Sequence, residues 1–171
     1  KKGQPFFLVC QTTITIYHKI NIMILDLLHV DLILIEDNPY EAELTIRSLK
    51  KDNLANQLVH LQDGEEAMDF LFSKGKYSAN VGKLNPKLIL LDLKLPKVSG
   101  LEILKALKSD DNTKNIPLVV QTSSKEESDV FESYNLGVNS YIVKPVNFES
   151  FRKAVAEIGL YWMLMNEQPT K

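Results

Sequence analysis

From residue 31 onward, short aliphatic runs alternate with longer amphipathic stretches. The runs are Leu32–Ile35, Leu58–Leu61, Leu88–Leu91, Leu118–Val120 and Tyr141–Val143. Three of the five are wholly aliphatic, as suits strands of a parallel sheet that is covered on both faces. The run at 58–61 carries His60, which predicts an edge strand. Four of the intervening stretches open with a capping residue three positions before a glutamate: Asn38 and Glu41, Asp63 and Glu66, Ser99 and Glu102, Ser124 and Glu127. At that spacing the cap and the glutamate satisfy each other's orphan backbone N–H groups. Pro39 falls at a first helical position, where its missing N–H costs nothing. Asn147 opens a fifth helix, and Gly75 and Gly137 stand where the second and fourth should stop. Lys76–Pro86 reads as a polar loop containing Gly82, Asn85 and Pro86. Five β–α repeats predict a doubly wound α/β fold, with right-handed crossovers placing helices on both faces.

Residues 1–30 stand apart from this pattern. Thr13–Ile16 alternates like a strand, and Ile22–Leu28 suits either a strand or a helix. The expectation is an N-terminal extension over 1–30, outside the chemistry, followed by one domain over 31–167. Met23 is placed to be the natural start. A length of 171 residues fits one domain plus this extra segment.

Charge narrows the function. Lys and Arg number 20 against 22 Asp and Glu, for a net charge of −2. That balance argues against a basic nucleic-acid-binding surface. The single cysteine, Cys10, rules out an intrachain disulfide, and no apolar run approaches the roughly 20 residues that span a bilayer. With no secretory signal pattern either, a soluble cytoplasmic protein is expected, with neither nucleic acid nor membrane as a partner.

In an open parallel sheet the functional crevice lies outside the carboxyl ends of the strands. Strand one ends in Glu36 and Asp37, strand three in Asp92, strand four in Thr122 and strand five in Lys144. Singly, each has an ordinary reading: an Asp after a strand commonly forms a turn or cap, Thr favours strands, and lysines are usually solvated. Together at one edge they form a chemical set. Three carboxylates repel, and a Mg²⁺ ion bound through hard oxygen ligands removes that conflict. One Asp is then able to act as a nucleophile toward phosphorus. Lys144 supplies a point charge for the phosphoryl oxygens and Thr122 a hydrogen bond.

The segments LILIEDN (32–38), LLDLKLPKVSG (90–100), PLVVQTS (117–123) and YIVKP (141–145) resemble the signature blocks of two-component response-regulator receiver domains. The resemblance covers about 31–167 and implies a flavodoxin-like strand order of 2-1-3-4-5. It implies Asp92 as phospho-acceptor and Glu36 and Asp37 as the acidic pair holding Mg²⁺. The backbone carbonyl of Lys94 would complete the metal shell with Asp92, and Lys144 would be the family's lysine. Thr122 becomes the switch hydroxyl and Tyr141 the switch aromatic. The phosphoryl donor implied is a sensor histidine kinase. Tyr134–Pro145, Trp162 and the insertion at 76–86 look most like small single-domain regulators paired with bacterial phytochromes. Lys94 itself is a departure, at a position that varies in the family and bears on phosphoryl lifetime.

Three rival functions fit these residues less well. A haloacid-dehalogenase-type phosphatase wants a second Asp two residues after its nucleophile, where this chain has Lys94. A nucleotide- or flavin-binding module wants glycines after strand one, and 36–41 has none. Histidine-based metal binding finds His18, His29 and His60 scattered. The expected protein is a phosphoryl-accepting switch that turns over no metabolite.

The fifth helix is expected to run nearly to Lys171, with Phe148, Phe151, Val155, Ile158, Trp162 and Met165 as a core stripe. Leu160, Tyr161, Met163 and Leu164 fall off that stripe. Apolar residues off the core stripe mark a partner surface, and the resemblance implies pairing through helix four, strand five and helix five, so a homodimer through that face is expected, with Tyr161 and Leu164 as anchors.

Overall fold

The computed structural model describes residues 30–54, 57–80, 84–144 and 147–167. The readings of 1–29, including Met23, Cys10, His18 and His29, and of Gly82 and Pro145, lie outside the described residues. The elements run β1 (Leu32–Ile35), α1 (Pro39–Lys51), β2 (Leu58–Leu61), α2 (Gly64–Leu71), a 3₁₀ turn (Gly75–Asn80) and β3 (Leu88–Leu91). They continue with α3 (Gly100–Ser109), β4 (Leu118–Thr122), α4 (Glu127–Asn135), β5 (Ser140–Val143) and α5 (Phe148–Leu160). All five strands are parallel, in the order β2-β1-β3-β4-β5, with β2 at the edge as His60 suggested.

Alternation within the strands divides the core into two layers. Ile33, Ile35, Ile89, Leu91, Leu118 and Val120 pack with Ala67, Phe70, Ile103 and Leu107 of α2 and α3. Leu32, Leu34, Leu88, Leu90 and Val119 pack with Ala42 and Leu49 of α1 and with Phe151 and Val155 of α5. Gly159 lets α5 approach α1: a Cβ there would lie 2.7 Å from Leu49 Cδ2.

Helix starts follow the sequence in three of four cases, but only one pair is reciprocal. Ser99 Oγ accepts from Glu102 N, and Ser99 N donates to Glu102 Oε2 at 2.9 Å. Asn38 accepts from Tyr40 N and Glu41 N, and Asp63 accepts from Glu66 N at 2.8 Å. The Glu66 carboxylate, however, turns to Lys76 Nζ and Tyr77 OH, tying down the 3₁₀ turn where a plain loop was expected. The fourth start differs: α4 begins at Glu127 itself, with no side-chain cap, and Ser124 accepts from Glu126 N at 3.4 Å and donates to Asp129 Oδ2.

Two helix ends also depart from expectation. Ser73, at φ +53°, takes the left-handed position after α2, and Lys74 N closes onto Asp69 O. Gly75 instead opens the 3₁₀ turn. Gly137, at φ +93°, does end α4, with Val138 N bonded to Ser133 O. The fifth helix stops being α-helical at Leu160 and closes with a π turn over Tyr161–Met165, where Asn166 N reaches Tyr161 O. The wider turn shifts the register, so Trp162 and Met163 pack on the core while Met165, expected inside, is 68% exposed.

Candidate functional site

The carboxyl ends of β1, β3 and β5 bring Glu36, Asp92 and Lys144 together. Glu36 is fully buried just past β1. Its backbone carbonyl accepts a bond from His60 Nε2 at 2.8 Å, and its Oε1 accepts from Asn38 N at 3.1 Å. Asp92 follows β3, held by its backbone N–H to Ile35 O, while its Oδ1 accepts from Lys94 N at 3.1 Å. Behind it the chain passes so close to α3 that a Cβ on Gly100 would fall 2.2 Å from the Asp92 carbonyl oxygen.

Lys144 follows β5, with its N–H bonded to Thr122 O at 2.7 Å. Its ammonium donates to Glu36 Oε2 at 2.6 Å, Asp92 Oδ2 at 2.7 Å and Glu41 Oε2 at 2.5 Å. Three N–H bonds are thus shared among three carboxylates, which leaves the cluster net anionic. Burial pushes the Glu36 carboxyl up to about 7, against the pull of Lys144. Burial also works to lower the Lys144 ammonium, but the charges of Glu36 and Asp92 and their hydrogen bonds outweigh it and hold Lys144 above the ordinary lysine range.

Glu41 is the member that sequence reasoning missed. It was read as the capping partner of Asn38, and its Oε1 does accept from Asn38 Nδ2 at 3.5 Å while Oε2 faces Lys144. Asp37, expected in the acidic group, is exposed and stands outside the cluster that gathers Glu36, Glu41 and Asp92. The ligand oxygens of those three lie within 4.8 Å of one another. All-oxygen donors and a net negative charge fit a hard divalent cation.

Thr122 is fully buried at the end of β4, and its hydroxyl accepts from Ser124 N at 3.3 Å. Tyr141 is half-buried and donates to Ser124 O at 3.3 Å. Burial, then the nearby charge of Asp129, pushes its hydroxyl up. Residue 94, two beyond Asp92, is a lysine with an exposed side chain, so that position offers no carboxylic acid to protonate a leaving group. No helix among the described residues is long and apolar enough to cross a membrane.

Residues 32–156 match the response regulator receiver domain. Response regulator Rcp1 of Synechocystis sp. is 39% identical over 132 residues, covering 77% of this chain and 88% of that protein. A crystal structure of its Mn²⁺-bound form superposes with a TM-score of 0.75 over 82% of this chain and 99% of that one, at 38% identity. The phosphorylated cyanobacterial phytochrome response regulator RcpA superposes at 0.76, with 38% identity, over 83% of this chain and 99% of that one. The bacteriophytochrome response regulator AtBRR is 49% identical, with a TM-score of 0.62 over 80% of this chain and 96% of that one. With the sheet order, the strand-end carboxylates and the matched segment in agreement, the chain belongs to the response regulator receiver domains, the phosphoryl-accepting switches of two-component signalling.

Proposed function

We propose that Asp92 is the phospho-acceptor, taking its phosphoryl group from the phosphohistidine of a sensor histidine kinase. A bond forms from an Asp92 carboxylate oxygen to phosphorus as the phosphorus–nitrogen bond breaks and the imidazole leaves. The observation that carries this reading is Lys144, whose ammonium is fixed 2.7 Å from Asp92 Oδ2 with its side chain only 8% exposed. A point charge held there meets the negative charge that gathers on the phosphoryl oxygens. Although Asp37 stands outside the Glu36–Glu41–Asp92 cluster, it follows Glu36 at the same strand end, and Glu36, Asp37 and Asp92 with the Lys94 carbonyl would hold Mg²⁺, which when bound supplies neutralisation of the same oxygens. Thr122 then donates its hydroxyl to the phosphoryl group, and Tyr141 follows it inward. Phytochrome-type kinases are the proposed donors, supported by the likeness to RcpA and AtBRR.

Output runs through partner binding, with a second copy of the chain as the first partner. Phe131 and Tyr134 of α4 and Leu160, Tyr161 and Leu164 around the end of α5 are exposed. Apolar groups left in water on neighbouring elements favour an isologous contact.

The direct test is mass spectrometry after incubation with acetyl phosphate, with and without Mg²⁺. Wild type is expected to gain one phosphoryl group only with the cation, and Asp92→Asn none while keeping its fold. Alkali-labile phosphate on the Asn variant would overturn the assignment.

A further inference from the structure

Helix α4 has the fewest buried residues of the five helices: Ser133 alone is buried. Its C-terminal end is closed by Gly137, but its first turn carries no side-chain cap. What ties that turn to the sheet is Asp129, whose Oδ2 accepts from Ser124 Oγ at 2.5 Å. Ser124 is 2% exposed and bonded in four directions. Its N–H donates to Thr122 Oγ1, its carbonyl accepts from Tyr141 OH, and its Oγ also accepts from Glu126 N at 3.4 Å.

We propose that Asp129, acting through Ser124, is a positioning residue that passes the state of Thr122 and Tyr141 to α4. The inference rests on the reading of Asp92 as phospho-acceptor. Of the bonds on Ser124, the one to the Asp129 carboxylate is charge-assisted and short, while those to Thr122 and Tyr141 are 3.3 Å and join neutral groups. When Thr122 turns its hydroxyl toward a phosphoryl oxygen, the weaker bonds rearrange first. Ser124, Asp129 and the first turn of α4 move as one piece. The helix yields because so little of it is anchored in the core, whereas close-packed elements resist such shifts. Asp129 also sits in the first turn, where a carboxylate favours the helix dipole, so the link costs α4 nothing locally.

The test is ¹⁹F NMR of the fluorotyrosine-labelled full chain, with and without acetyl phosphate and Mg²⁺. The Tyr134 resonance on α4 is assigned by a Tyr134→Phe variant. In wild type that resonance moves on phosphorylation. Ser124→Ala and Asp129→Ala are expected to take phosphate to the wild-type level, because neither residue touches Asp92. In both, the Tyr134 displacement falls to less than half. Asp129→Asn keeps an acceptor oxygen but not the charge, and is expected to leave a displacement between those of wild type and the alanine variants, which separates a weakened bond from a lost fold. A wild-type displacement in the two alanine variants overturns the proposal, as does a phosphorylated wild type whose Tyr134 does not move. A wild type that takes no phosphate overturns the functional reading itself, and the link with it.

Discussion

Replacing Lys144 with Met removes the ammonium bonded to Glu36, Glu41 and Asp92 while keeping the length and apolar stem of the side chain. Glu36 is fully buried and the Asp92 side chain is 8% exposed, so both lose a partner without regaining water. Breaking a buried pair in this way costs about 3–5 kcal/mol. Glu41 adds little, since its side chain is 40% exposed and screened. At roughly 3 °C per kcal/mol for a domain of this size, Tm falls by about 10–15 °C.

The pH dependence carries the stricter check. Burial pushes Glu36 from 4.5 up to about 7, so the folded state holds its proton more tightly than the unfolded chain does. That contribution is complete below pH 4.5 and gone above about 7. Without Lys144 the Glu36 carboxyl rises further, and taking up a proton relieves the uncompensated charge. The variant therefore loses more stability at about pH 8 than at about pH 5.5. Urea denaturation of both proteins at the two pH values, free of divalent cation, measures this directly. A difference within about 1 kcal/mol at the higher pH, or a loss that grows on acidification, would refute the reasoning.

Gly100→Ala forces a methyl group against the Asp92 carbonyl and Leu93 Cα, at 2.2 and 2.6 Å. It should destabilise the domain by about 1–3 kcal/mol or more and slow phosphoryl uptake, read by denaturation and by mass spectrometry. Tyr161→Asp with Leu164→Asp should lower the sedimentation coefficient at matched concentration if these residues anchor a dimer; an unchanged species places the contact elsewhere. Deleting residues 1–22 should leave Mg²⁺ affinity and the phosphorylation rate unchanged, and a shortened chain that accepts no phosphate would assign the segment to the working domain.

Local chemistry was enough for the elements and for most of the site. Short aliphatic runs such as Leu88–Leu91, alternating with capped amphipathic stretches, suit covered strands, and a strand's end decides where the next side chain stands. Asp92, Lys144 and Thr122 were legible for that reason: each directly follows or ends a strand. Other features depended on contacts between distant segments. Glu41 looked like a cap partner because its second role needs Lys144, 103 residues away in sequence, to arrive from the far side of the sheet. Asp37 shares its strand end with Glu36, yet the turn into α1 leaves it in solvent while Glu36 is buried. Ser124 has the spacing of a capping residue, but α4 starts only at Glu127, so its Oγ accepts from Glu126 N ahead of the helix and gives its proton to the Asp129 carboxylate. Met165 fits the apolar stripe of an ideal α-helix and lost its place to one wider turn. Periodicity and strand-end position are properties of neighbours in the chain, so the sequence alone determined them. Which of several competent partners a polar group takes is settled only when the tertiary structure brings them within bonding distance.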